Sequence, residues 1–151
     1  MEKFKIKPHH FMDIIKLYGK GIEAFVPDEK MGHDFYKVAN QIVQDKNTIL
    51  QLTICGDDIC KPCKSYKEHC IDPLTRIPGF TAKNEYNKTL DKRMIALFHL
   101  DENKPYSAKD LCTIYLNNHD LIFQVWKEED SSITQKRHDW FVEGANKYLQ
   151  P

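Results

Sequence analysis

The stretch FKIKPHHFMDIIKLYGKG, residues 4–21, carries two patterns in immediate succession. Residues 4–8 alternate apolar and charged side chains up to Pro8, the period of a half-exposed strand that a proline ends. From His9 onward the period changes. Phe11, Ile14, Ile15 and Tyr18 fall on one stripe of a 3.6-residue repeat, so a helix follows, and Gly19 is placed to stop it. A short strand feeding directly into an amphipathic helix sets the expectation for the whole chain: an α+β fold.

The rest of the sequence extends that reading. MGHDFYKVANQIVQDKN, residues 31–47, repeats the helical stripe with Phe35, Val38, Ile42 and Val43, and ends in a polar turn. TILQLTIC, residues 48–55, is β-branched and partly alternating, the strongest strand pattern in the chain. DPLTRIPGF, residues 72–80, has two prolines and a glycine and reads as loop. Residues 81–100 place Tyr86, Leu90, Met94 and Leu97 at helical spacing. SAKDLCTIYLNN, residues 107–118, opens a helix on a capping pattern of Ser107 and Asp110. DLIFQVWKEED, residues 120–130, fits strand or helix, and residues 132–150 form a closing amphipathic helix. The expected architecture is a single domain over residues 1–151, helix-dominated, with a small sheet and a cysteine-rich loop at 55–70.

Composition narrows the function classes. The 151 residues balance 22 basic against 22 acidic side chains, so no global field points to nucleic acid or an anionic membrane surface. With 41% hydrophobic and 29% charged residues the chain has the composition of a globular domain large enough to bury a core. No apolar run reaches the roughly 20 residues that span a bilayer, and the N-terminal segment lacks the pattern of a secretory signal. The expected compartment is cytoplasmic, where structural disulfides are rare.

Four of the five cysteines, Cys55, Cys60, Cys63 and Cys70, lie in TICGDDICKPCKSYKEHC, residues 53–70, spaced C-x4-C-x2-C-x6-C. A Cys-x2-Cys pair lets two thiolates converge on one centre, and Pro62 stiffens the turn between them. Two further thiolates in the same window can complete a tetrahedral set, which suits either structural zinc or a [4Fe-4S] cluster. Four thiolates on either centre leave a net charge near −2, which Lys61, Lys64 and Lys67 can offset unless they form a solvated face. Asp57 and Asp58 oppose that balance and are expected to point outward or to bond to backbone N–H groups in the turn. A third possibility is a redox dithiol on Cys60 and Cys63, because strand, loop and Cys-x-Pro-Cys follow one another as in thioredoxin-like proteins. That fold also needs a βαβ lead-in and a later strand opened by a cis-proline, and the segments around Pro78 and Pro105 lack strand-like apolar runs. Cys112 reads as a buried small apolar residue of a helix.

His9 and His10 stand in tandem at a helix start, where either can ligate a metal or carry a proton. His69 adjoins Cys70, too close for both to bind one ion easily. His33, His99, His119 and His138 form no pattern and read as structural. Lys20, between two glycines, is not in a phosphate loop, which would need Gly-x4-Gly-Lys-Ser/Thr before a helix. Its simplest role is a helix end followed by a turn, and a backbone held close to a ligand is the sharper alternative.

Taken together, Pro-His-His, Gly-Lys-Gly, Asp-Asp-Ile-Cys-x-Pro-Cys and the later YSAKDLC, over residues 5–112, resemble a bacterial and archaeal family of small proteins. That family is catalogued as a domain of unknown function and is associated with iron–sulphur cluster binding. The resemblance implies roles for Cys60, Cys63 and Cys70 as ligands, and for His9, His10 and Lys20 near the site. The chain departs from the family pattern in lacking a second cysteine group near its C-terminus, which counts against a second site of that kind. The ligand set expected is all four window cysteines, or Cys60, Cys63 and Cys70 with a histidine such as His10. His9, Lys20, Asp57 and Asp58 are candidates to line the site or touch a substrate. An iron–sulphur protein in electron transfer or cluster-dependent chemistry is the leading expectation, a small zinc module the second, and a thiol redox protein the third.

Overall fold

A computed structural model describes residues 3–27, 34–54, 58–59 and 83–150, together with the backbone of residues 66–67 and 69–70. The first strand, β1 (Lys3–Ile6), runs into α1 (Pro8–Gly19) through Lys7, which is extended at the helix N-cap. Pro8 occupies the first turn, where its missing N–H is no loss. Then follow α2 (Phe35–Gln44), β2 (Ile49–Leu52), a two-residue pair β3 (Tyr66–Lys67) and β4 (His69–Cys70), and α3 (Lys83–Leu97). The chain continues through β5 (Pro105–Ser107), α4 (Ala108–Asn117), one 3₁₀ turn (His119–Leu121), α5 (Ile122–Val125) and α6 (Ser131–Tyr148). This is the helix-rich α+β domain that the sequence leads one to expect.

The main sheet has the order β1-β2-β5, with β1 and β2 parallel and β2 and β5 antiparallel. Phe4 pairs with Leu50 and Leu50 with Tyr106, so alternate residues across all three strands face one side. Ile6, Leu50, Leu52 and Tyr106 are buried there while Lys5 and Gln51 turn outward or half outward. β5 opens on Pro105, a position at a strand start and sheet edge that needs no N–H for the ladder. It makes a strand of the NKPYS segment, which shows no strand pattern on its own, and no cis peptide bond occurs among the described residues. β1, two helices and β2 likewise supply a βαβ-like lead-in.

Helix packing closes the core. Phe11, Ile14 and Ile15 of α1 and Phe141 and Ala145 of α6 are wholly buried. The α1–α6 crossing is tight because both helices present glycine. A Cβ on Gly144 would lie 2.0 Å from the Ile15 carbonyl oxygen, and one on Gly19 would lie 2.1 Å from that of Trp140. Gly19 thus ends no helix by taking a left-handed conformation. That role falls to Gly21, with φ +101°. Tyr115 is fully buried, its ring in edge-to-face contact with those of Phe11 and Phe98 at 5.2 Å between centroids, its hydroxyl donating to the Pro8 carbonyl at 3.0 Å. α4 is capped as its sequence predicts, Ser107 Oγ accepting from Asp110 N at 3.1 Å. In the ambiguous segment 120–130, residues 120–125 are helical, in the 3₁₀ turn and α5, and the rest is a turn leading to α6.

Candidate functional site

Because β1 and β2 are parallel, their C-terminal ends lie on the same edge of the sheet, and each leads into one half of the candidate site. β1 runs into Lys7, Pro8, His9 and His10, and β2 runs into residues 53 and 54 at the head of the cysteine window. Backbone bonds hold the two together. Thr53 N donates to the Ile6 carbonyl at 3.1 Å, and Asp58 N donates to the Lys5 carbonyl at 3.1 Å. Asp58 also accepts from Lys5 N through Oδ2 at 2.7 Å, so its carboxylate bonds to a backbone N–H of strand β1 rather than of its own turn. Ile59 is buried in the core, and its carbonyl accepts from Asp34 N at 3.0 Å just ahead of α2. Asp57, Cys55, Cys60 and Cys63 lie outside the described residues. Cys70 is placed by its backbone in β4, so part of the expected loop is a two-stranded ladder, Tyr66 opposite Cys70 and Lys67 opposite His69.

His9 is the best-defined polar group at this edge. It is only 6% exposed, and its Nδ1 lies 2.9 Å and 3.0 Å from the two carboxylate oxygens of Asp91, which is fully buried on α3. The same carboxylate accepts from the His9 backbone N–H at 2.8 Å. Asp91 therefore serves as a cap for α1 delivered from another helix, satisfying an N–H in the first turn and complementing the positive end of the helix dipole. Since a carboxylate only accepts, Nδ1 of His9 is a donor, and Nε2 is left for a proton or a metal. Burial works against a charged imidazole here, but the charge and hydrogen bond of Asp91 outweigh it, and the His9 pKa is raised above the ordinary histidine value. His10 lies beside it, the ring centroids 4.3 Å apart. Lys7, just before Pro8, is also buried.

The structure brings His9, His10 and Asp58 to one edge. It does not bring Lys20 there. Lys20 follows the other end of α1, eleven residues from His9 and about 16 Å away along the helix axis. With Gly19 and Gly21 it lines a groove against α6 that includes His138, Asp139 and Lys147. Asp91 was not among the residues the sequence singled out. The available signal was its place on the stripe that buries Asn87, Leu90 and Met94 of α3, where a charged side chain is out of keeping. His119 and His138, unpatterned in sequence, meet at 2.9 Å between Nδ1 and Nε2. Cys112 is fully buried, as expected, and burial pushes its thiol up to about 12. No helix among the described residues is long and apolar enough to cross a membrane.

No curated protein and no solved structure matches the chain. A family model described as a protein of unknown function, DUF1284, matches residues 28–128, a span that takes in the cysteine window, Asp91 and Cys112 and begins after the histidine pair and Lys20. With the larger part of its length matched, the chain belongs to the DUF1284 family.

Proposed function

We propose that this protein holds a metal centre on Cys60, Cys63 and Cys70, an iron–sulphur cluster of the [4Fe-4S] type, with Cys55 or a histidine of the His9–His10 pair as the fourth ligand. The observation that supports the reading is the backbone tie between Lys5 and Asp58. It fixes the chain two residues before Cys60 to the strand that leads into the histidines. Residues 53–54 and 58–59 of the window and the histidines of α1 then start from the same sheet edge, which favours one mixed centre over two separate ones.

The donor chemistry fits. Thiolate ligands suit iron–sulphur clusters, and a histidine whose other ring nitrogen is held by a carboxylate is the usual form of a metal-ligating imidazole. His9 is so held by Asp91, which makes it a candidate for the fourth position beside His10. Bound there, the cluster would supply one-electron chemistry. The protein's own part is to orient the His9 ring through Asp91, to shield that ring from water, and to hold a proton at Nδ1. If Cys55 is the fourth ligand instead, His9 is free to deliver or accept a proton at Nε2 beside the centre.

The test is anaerobic purification followed by an absorption spectrum and iron, sulphide and zinc analysis of the same sample. The expected result is a brown protein with about four irons per chain, lost in Cys60→Ser. Comparing Cys55→Ser with His9→Ala and His10→Ala then identifies the fourth ligand. A colourless protein with one zinc per chain would overturn the cluster in favour of a zinc module. A colourless protein with neither metal would point to a Cys60/Cys63 dithiol.

A further inference from the structure

Away from the cysteine window, three side chains from two elements converge at the surface. His119 and Asp120 come from the 3₁₀ turn after α4, and His138 from the middle of α6. His119 Nδ1 lies 2.9 Å from His138 Nε2 and 3.3 Å from Asp120 Oδ1. One donor atom from each of the three residues lies within 4.8 Å of the others. On its far side His138 is held by a fourth residue, Nδ1 lying 2.9 Å from Asp139 Oδ1.

The proton inventory makes this arrangement specific. Asp139 can only accept, so Nδ1 of His138 carries a proton, and in the neutral ring Nε2 presents its lone pair toward His119. His119 Nδ1 must then either donate a hydrogen to that lone pair or, with its own proton moved to Nε2, present a second lone pair to the same point. The second state is a pair of nitrogen ligands aimed at one ion. At zinc–nitrogen distances of about 2.0–2.1 Å, two ligands in a tetrahedral set stand about 3.3 Å apart, so the pair needs to open by only roughly 0.4 Å. Asp120 supplies a charged oxygen, and Asp139 plays for His138 the orienting part that ligating histidines commonly need. His138 is mostly sheltered, with 15% of its side chain exposed, whereas His119 at 38% and Asp120 at 89% face solvent, so water can fill the remaining position.

We propose that His119 Nδ1, Asp120 Oδ1 and His138 Nε2 form a surface site for a divalent transition-metal ion of the zinc class, with Asp139 positioning His138 and an exchangeable water completing the coordination. Two imidazoles and a carboxylate select borderline ions such as Zn²⁺ over Mg²⁺ or Ca²⁺, which prefer all-oxygen sets. The site shares no residue with the cysteine window and stands or falls independently of it.

The experiment is calorimetric titration of the full-length protein, as purified, with Zn²⁺, alongside His119→Ala, His138→Ala and Asp139→Asn, with imidazole nitrogen NMR on the same samples. The expected result is one zinc equivalent bound by the wild type that both alanine variants lose. Asp139→Asn should weaken the same step at least about 10-fold, and with zinc bound the His119 proton should sit on Nε2. His119 is exposed enough for its alanine variant to fold, so the result does not depend on His138→Ala. Equal zinc stoichiometry and affinity in His119→Ala and wild type would overturn the proposal and leave the pair as a histidine–histidine hydrogen bond. So would a His119 that keeps its proton on Nδ1 in the presence of excess zinc.

Discussion

At the scale of single residues, Asp91 carries more than its position in sequence suggests. It accepts from both the backbone and the ring of His9, 82 residues away, and has no exposed surface. Asp91→Ala leaves an orphaned N–H in the first turn of α1 and a buried imidazole without its partner. The expected loss is about 3–5 kcal/mol in urea denaturation, whereas Asp91→Asn, which keeps an acceptor oxygen, should lose about 1–3 kcal/mol. Sequence reasoning passes over this residue because aspartate on a helix is normally solvated, and only the fold supplies the partner that makes burial tolerable. His9 itself is visible in advance as half of a tandem pair. Which histidine turns inward is decided by α3 and cannot be read from two adjacent letters.

Between elements, two contacts set how the helices meet. Arg93 of α3 donates to the Val125 carbonyl at 2.8 Å, where α5 ends, and to Glu128 Oε1 at 2.7 Å, its second guanidinium nitrogen reaching Oε2. The Arg93 hydrogen bond, working against a smaller burial effect, holds the Glu128 carboxyl below the ordinary glutamate value. A carboxylate with a depressed folded-state pKa contributes stability above its unfolded value of about 4.3, and that stability is lost as the pH falls through the folded value. Glu128→Gln should therefore cost on the order of 1 kcal/mol at pH 7. Thermal unfolding of the variant and wild type should converge as the pH is lowered below about 4. The second contact is the glycine crossing. Gly144→Ala must push backbone away from backbone and should destabilise by about 1–3 kcal/mol or more in the same assay. Gly19 looks like a helix stop in sequence because glycine commonly follows a helix. Its packing role depends on α6, whose approach no local pattern records. β5 is hidden for a similar reason. Three residues opening on proline have no periodicity to detect, and they become a strand by pairing with β2. The strands β1 and β2 and the helical stripes are legible because burial on one face leaves a repeat in the letters themselves.

For the molecule as a whole, the core is assembled from the described helices and the main sheet, with Ile59 as a contribution from the edge of the cysteine window. A centre bound in the window would then be carried by a fold that already has its own core. Cys60→Ser is expected to keep its far-UV circular dichroism and a cooperative thermal transition while losing metal. Unfolding of that variant would mean that the metal's binding energy is folding energy, as in a structural zinc domain.

The contact between α1 and α6 joins segments more than a hundred residues apart, and Tyr148 adds a bond from its hydroxyl to the Ile42 carbonyl at 2.6 Å, 106 residues back. During synthesis the apolar face of α1 therefore emerges from the ribosome long before the helix that covers it. Until α6 has been made, Phe11 and Ile15 lack part of their cover, so the nascent chain presents a sticky surface for the hundred-odd residues that separate the two helices. Completion of this core accordingly waits for α6, the helix that covers α1.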